Sequence, residues 1–479
     1  MSVRPDPRRW WALGLLSAAQ FLVILDTSII GVALPAIQDA LGFTPGGLQW
    51  VFNAYVIAFG GLLLLGGRLS DLYGPRRVLT GGFLVLGASS LLAGLAWSSE
   101  ALIVGRALMG VGAALIAPAA LSIVMSLFAG TGDMGKAMGI WGASAPAGGT
   151  AGVFLGGVIT EWLDWRWVFL VNVPVAVGVL ALIPALIDRG ASRKGRIDFT
   201  GALAVTGALT LAVYAIVTAN DVGWSSFRTI GSIGLSVALL GAFAAVEARR
   251  REPLVPLRIF RVHNLSAANA VMVLLGAAWI PMWFYLNLYL QQTLGYGAFE
   301  GGLALLPMTV AIMVLMVGFT GRILVRFGYK PPLVAGLLLL AGAMFWFGTL
   351  PQDGSFWIDV LPPSLLAAVG MSLAYIPALI SALSSAKPEE SGLASGLVNT
   401  TYQVGSALGL AAMTALATSV TADALDGGRI GALTDGFRAA FFGASGVAVA
   451  AALVAVVLIR RGVVEIPATV DEESLERAA

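Results

Sequence analysis

The chain has 479 residues, of which 58% are hydrophobic and 11% charged, with a formal net charge of +2. A soluble protein of this length needs far more polar residues to cover its surface, so the composition excludes an ordinary soluble domain and points to a chain solvated by lipid. The absence of cysteine excludes disulfides, thiolate metal sites and cysteine nucleophiles, and a single histidine, His263, argues against a histidine-built metal or catalytic centre. No cofactor, no enzyme activity and no nucleic-acid partner are expected.

Apolar runs of about 20 residues, each long enough to cross a ~30 Å hydrocarbon layer, recur from end to end. They predict an all-α membrane protein with fourteen transmembrane helices, near 11–37, 48–70, 77–97, 101–127, 136–160, 166–187, 198–219, 229–247, 264–292, 301–324, 332–350, 358–384, 391–419 and 437–460. The first run is too long to be a cleaved signal peptide.

Helix 1 carries Asp26 in mid-span, within Leu25-Asp26-Thr27-Ser28-Ile29-Ile30-Gly31. A carboxylate at that depth costs about 2.5–3.5 kcal/mol on insertion scales, so it must face a cavity or a partner. It is also a group able to take up and release a proton inside the membrane, which a proton-coupled carrier needs. A structural hydrogen-bond anchor for a neighbouring helix is the plainer alternative. Helix 2 carries Asn53 and Tyr55, polar candidates for a substrate cavity.

Helix 2 runs into the charged segment Gly67-Arg68-Leu69-Ser70-Asp71-Leu72-Tyr73-Gly74-Pro75-Arg76-Arg77. Asp71 can bond the N-terminal amides of another helix and favour its dipole. Arg68, Arg76 and Arg77 can pair with acidic groups or lipid phosphates. The segment reads as a latch that holds one access state shut, or simply as a basic anchor at the membrane surface.

Helix 4 holds Arg106 within its span. An arginine stays charged, so it cannot itself shuttle protons, but it can act on a nearby carboxylate or on waters and carbonyls. It can also serve as a buried tether between helices 1, 2 and 4. In helix 5, Gly142, Ala145, Gly149, Gly152 and Gly156 line one face, with Gly157 beside them. Such a stripe lets another helix approach closely and open or close as a unit; ordinary helix packing gives the same local pattern.

In the second half, Asn269, Trp283 and Asn287 share a face of helix 9, where Tyr285 and Tyr289 also lie. Ser395, Asn399, Gln403 and Ser406 form a polar stripe on helix 13. Amides and an indole beside apolar walls suit a bulky ligand of mixed polarity. Interhelical hydrogen bonding is the competing reading.

A worn copy of the charged segment recurs at Gly321-Arg322-Ile323-Leu324-Val325-Arg326-Phe327-Gly328-Tyr329-Lys330. Gly67 pairs with Gly321, Arg68 with Arg322, Gly74 with Gly328 and Arg76 with Lys330, all at one offset of 254 residues. The repeat divides the chain into a six-helix bundle at 1–187, an insert of two helices and basic loops at 188–263, a second six-helix bundle at 264–460 and an acidic tail at 461–479. Transporters are built this way, because two similar halves can rock about a central site. Val325 stands where Asp71 would recur, so the latch is predicted to be asymmetric. With the N-terminus in the cytoplasm, 23 of the 28 basic residues fall in cytoplasmic segments, as insertion into a membrane requires. An even helix count then places the C-terminus inside too, and the tail reads as a solvated end.

Together these residues resemble the major facilitator superfamily, specifically its fourteen-helix drug:proton antiporter family. The Gly67–Arg77 segment looks like the cytoplasmic gating signature. Leu25-Asp26 through Leu34-Pro35 looks like a first-helix signature whose acidic residue is implicated in coupling. Arg106 with Gly110, Gly112, Ala113 and Ala114 looks like the fourth-helix signature tied to proton transfer. Gly148 to Gly157 looks like the antiporter signature of helix 5, with Gly152-Val153 where Gly-Pro is usual, so that a kink is missing or moved to Pro146. Trp165 to Pro174, which includes Asn172, and Ala394 to Asn399 fit the same branch. Gly31 stands where asparagine is often found, which removes one polar cavity contact.

The resemblance implies a major-facilitator-type fold, two six-helix bundles plus two inserted helices, in a bacterial inner (plasma) membrane. It implies a monomer that exchanges protons, its coupling ion, for amphipathic drugs or other small organic compounds by alternating access. A dedicated exporter of one endogenous metabolite uses the same machinery; a non-transporting membrane sensor is a third alternative.

Overall fold

A computed structural model describes residues 8–128, 133–188, 199–249, 257–385, 391–424 and 428–460. Fourteen long helices lie among them, labelled here in chain order: α1 (Arg8–Leu41), α2 (Trp50–Tyr73), α3 (Pro75–Gly94), α4 (Ser99–Phe128), α5 (Met134–Trp162), α6 (Asn172–Leu186), α7 (Phe199–Val222), α8 (Phe227–Arg249), α9 (His263–Leu288), α10 (Ala298–Gly318), α11 (Lys330–Phe347), α12 (Leu361–Leu383), α13 (Ser391–Asp423) and α14 (Arg429–Leu458). Among the described residues, twelve helices are long and apolar enough, by length and composition, to cross a membrane. Of the other two, α5 is rich in small residues, and α7 carries a described apolar stretch at Leu203–Ala219.

Four predicted boundaries differ most. The last helix, expected from 437, starts at Arg429, and Arg438 lies inside it. The expected helix at 166–187 begins as a short turn, Trp167–Leu170, and restarts at Asn172. The expected helix at 301–324 is broken at Phe319, with Thr320–Phe327 continuing as a separate amphipathic piece. The end of the ninth helix widens into a π-helical turn, Tyr289–Thr293. Helix α5 runs unbroken through Pro146. The basic linkers 189–198 and 250–256 and the acidic tail 461–479 lie outside the described residues.

The repeat is visible in the backbone. Gly74 and Gly328 each terminate a helix with positive φ, +88° and +70°, and each donates its N–H to the carbonyl four residues back, Ser70 and Leu324. That conformation is open to glycine and strained for other residues. At the opposite end of the molecule Gln292 Nε2 donates to Gln38 Oε1 at 2.9 Å, and these two residues are also 254 apart. The repeat-related glutamines therefore meet each other.

Within the first repeat α1 packs on α5, and α4 packs on both α2 and α3; within the second, α9 packs on α13 and α14, and α11 on α12. Between repeats, α5 meets α10 and α2 meets α13. Helix α7 lies on α2 and α13, covering that seam, and α8 packs on α7.

Candidate functional site

Helix α1 carries Asp26 into the interior, where the residue is 1% exposed. Helix α4 brings Arg106, fully buried, to meet it: Arg106 Nη1 donates to Asp26 Oδ2 at 2.7 Å. The other carboxylate oxygen, Oδ1, accepts from Asn172 Nδ2 at 2.9 Å. Arg106 Nε donates to the Val51 carbonyl of α2 at 2.9 Å, and its guanidinium carbon lies 4.5 Å from the Tyr55 ring centroid and 5.9 Å from that of Phe169. The Tyr55 hydroxyl donates to the Val23 carbonyl at 3.4 Å. One ion pair thus joins α1, α2, α4 and the start of α6.

The chemistry of this cluster is unusual for a tether. Taking two charges out of water costs several kcal/mol per ion, and apolar residues of similar volume often hold helices together equally well. Two polar atoms of the cluster, Arg106 Nη2 and Asn172 Oδ1, are buried without a hydrogen-bond partner. A carboxylate held this way sits between two competitors, because a proton and a guanidinium both neutralise it but cannot both be its main partner.

The helix-5 stripe divides into two surfaces. Gly148, Gly152 and Gly156 rest on the α1 backbone: a methyl group at these positions would come within 2.5–2.8 Å of the carbonyl oxygens of Phe21, Leu25 and Ile29. Gly149 lies near Ser28, with 3.7 Å of clearance. Gly157 faces the start of α10, at Ala298 and Phe299. Gly142, assigned to the same face from its spacing, meets nothing within 4 Å. The seam therefore begins deeper in the membrane than the sequence pattern suggested.

The α5–α10 contact lies at the Gln38–Gln292 end. There Phe299 packs against Trp162 and Phe154, and its N–H donates to Glu161 Oε2 at 3.4 Å. Gln291 Nε2 donates to the Val32 carbonyl at 3.0 Å. Trp283 of α9 lies over Gly31 of α1, where a methyl group would sit 2.1 Å from the indole. The space that Gly31 leaves is thus filled by an aromatic ring from the other repeat.

The remaining candidates scatter. Asn53 is buried and donates to Gln49 Oε1 at 3.3 Å. Tyr55, expected along a substrate cavity, is instead sealed against Arg106. Tyr285 donates to Thr414 Oγ1 at 3.1 Å and packs against Phe437, inside the second repeat. Tyr289 reaches the Pro351 carbonyl at 2.6 Å, away from the other repeat. Asn287 is buried and donates to the Trp283 carbonyl at 2.9 Å. Asn269 accepts from Thr401 Oγ1 at 2.9 Å, an interhelical tie. Asn399 and Gln403 are half-buried on α13, where Asn399 donates to the Ser395 carbonyl at 3.0 Å and Gln403 lies against Gly60 of α2, at the seam between the repeats. In the charged segment, Gly67 has room around it, Gly74 ends α2, Arg68 and Arg76 are half-buried and Arg77 is exposed. The Asp71 side chain lies outside the described set.

Two features were missed from sequence. Asn172 is marked in the sequence only as the lone amide of the apolar run Val168 to Val173. The Gln38–Gln292 contact could have been found by extending the 254-residue offset beyond the charged segment.

Residues 16–410 match the Major Facilitator Superfamily. The puromycin resistance protein pur8 of Streptomyces alboniger is 38% identical over 466 residues, covering 95% of this chain and 92% of that protein. The cephamycin export protein CmcT of Amycolatopsis lactamdurans is 39% identical over 406 residues, 84% of each chain. Among solved structures, an auto-inhibited POT family peptide transporter superimposes with a TM-score of 0.69 at 18% identity, covering 96% of this chain and 99% of that one, a likeness of fold. Matches of this extent make the chain a multi-pass membrane transporter rather than an enzyme. It belongs to the Major Facilitator Superfamily, and groups there with drug- and antibiotic-export proteins.

Proposed function

We propose that the chain is a proton-coupled exporter of small organic compounds, working by alternating access between two six-helix bundles, α1–α6 and α9–α14. The insert α7–α8 brings the crossings to fourteen, and both ends of the helical array face the cytoplasm of a bacterial inner membrane, as the distribution of basic residues favours. The observation that carries the reading is the sealed Asp26–Arg106 pair, with Asn172 on the second carboxylate oxygen.

In this reading the Gln38–Gln292 end faces outward and is shut in the state described. A proton reaching Asp26 displaces the Arg106 charge as its partner and frees α1 to move along the small-residue seam of α5. Substrate favours the proton's release. The proton moving down its gradient supplies about 2.3 kcal/mol per 100 mV, plus about 1.4 kcal/mol per pH unit. Coupling requires only that proton and substrate bind the two states unequally.

A dedicated exporter of one endogenous metabolite is the second reading, because both relatives are named for one antibiotic. In proteoliposomes with an imposed pH gradient, wild-type protein is expected to accumulate puromycin or a cephamycin, and a protonophore is expected to abolish the accumulation. Uptake of many unrelated compounds would favour the multidrug reading. Accumulation that survives the protonophore would defeat proton coupling.

A further inference from the structure

Asp26 is held by two groups of different kinds. The guanidinium of Arg106 can only donate, whereas an amide both donates and accepts. Asn172 uses one side of its amide: Nδ2 donates to Asp26 Oδ1, while its own buried Oδ1 has no partner. The carboxylate dictates this orientation, since it accepts and cannot donate. A protonated Asp26 reverses the demand, because its O–H needs an acceptor. The acceptor is already in place, on the same fully buried side chain.

We infer that Asn172 is a positioning residue for the proton-transfer step, one that partners both forms of Asp26 by turning its amide over. When a proton binds Asp26 Oδ1, one O–H bond forms and the carboxylate charge is lost. The Asn172 N–H···Oδ1 bond breaks, the amide rotates by half a turn, and the new O–H donates to Asn172 Oδ1. Arg106 keeps its Val51 bond and its place on the Tyr55 ring, so the cation does not follow the proton. Release of the proton reverses each change. The inference rests on the reading of Asp26 as the proton site.

Competing titratable groups are few among the described residues. Helices α4, α5, α6, α9 and α10 and the turns Trp167–Leu170 and Pro45–Leu48 pack on α1. Arg106 faces Asp26 from α4, and Tyr55 from α2 reaches the same cluster. The other ionisable groups of these elements are Glu100 at the start of α4, Lys136 and Glu161 at the ends of α5, His263 at the start of α9, Tyr285 turned to Thr414, and Glu300 at the start of α10. Helix α6 and the two turns carry none.

Infrared difference titration of the purified protein tests this without a substrate. Wild type is expected to show a carboxylic-acid C=O band that grows as pH falls and is missing from Asp26→Asn. In Asn172→Leu that band is expected to move to higher frequency, because the acid has lost its acceptor. In Asn172→Asp, which keeps the shape but sets a second carboxylate beside the first, the midpoint is expected to move to higher pH. A band at the wild-type frequency in Asn172→Leu overturns the inference. Should that variant fail to fold, a wild-type midpoint in Asn172→Asp overturns it equally. Absence of any Asp26 band from wild type would defeat the proton-coupling reading itself, and this inference with it.

Discussion

Arg106→Leu is expected to destabilise the protein by about 3–5 kcal/mol, the usual range for removing one partner of a buried ion pair. The loss has named parts. Asp26 loses its counter-charge in a site that is 1% exposed, with Asn172 as its remaining donor. The Val51 carbonyl loses its 2.9 Å bond from Arg106 Nε, and the Tyr55 ring loses a cation worth about 2 kcal/mol when desolvated. The double variant Asp26→Asn with Arg106→Leu is expected to be more stable than Arg106→Leu alone, because a neutral amide needs no counter-charge. Arg106→Lys is not a conservative change here: an ammonium cannot serve Asp26 and Val51 through one planar fork. Thermal unfolding in detergent reads all three variants. A wild-type midpoint for Arg106→Leu would show that the pair contributes nothing to holding the helices.

Gly152→Leu is expected to damage transport strongly. The new side chain would point at Leu25 O and Ser28 Cβ, both 2.8 Å from its first carbon, and at Ile29 N, 3.1 Å away. All three belong to α1 and flank Asp26. Overpacking of this kind typically costs 1–3 kcal/mol, as an order of magnitude, and shifts the backbone. A displacement of α1 by an ångström would break the 2.7 Å bond to Arg106. Transport is expected to fall by well over tenfold. Gly142→Leu, ten residues earlier on the same helix and with nothing within 4 Å, is expected to retain most of it. Equal loss in both variants, measured as puromycin uptake per folded transporter, would remove the α1–α5 seam from the mechanism.

The sequence made some of this architecture legible and hid the rest. Apolar run length marks helices well, because a lipid-exposed span must be long and continuous. It marked the start of the last helix least well, eight residues late, because Arg429, Asp435 and Arg438 in its first turns lower the hydropathy there. Asp26 and Arg106 stood out because charge is costly at their depth. Their pairing across 80 residues is tertiary, and no periodicity encodes it. The cavity candidates were the least legible. A buried tyrosine or asparagine looks the same in sequence whether it faces a ligand, as expected of Tyr285, or a neighbouring helix, as its bond to Thr414 shows. The indole of Trp283 reached Gly31 for a reason invisible in either helix alone: one repeat supplies the hole and the other the ring.

The central claim is that proton movement through Asp26 drives export. Its most direct measurement compares wild type and Asp26→Asn in proteoliposomes, reading puromycin accumulation under a pH gradient beside puromycin exchange at equal pH. The account predicts that Asp26→Asn keeps the exchange and loses the gradient-driven accumulation. Full uphill transport by Asp26→Asn would contradict it.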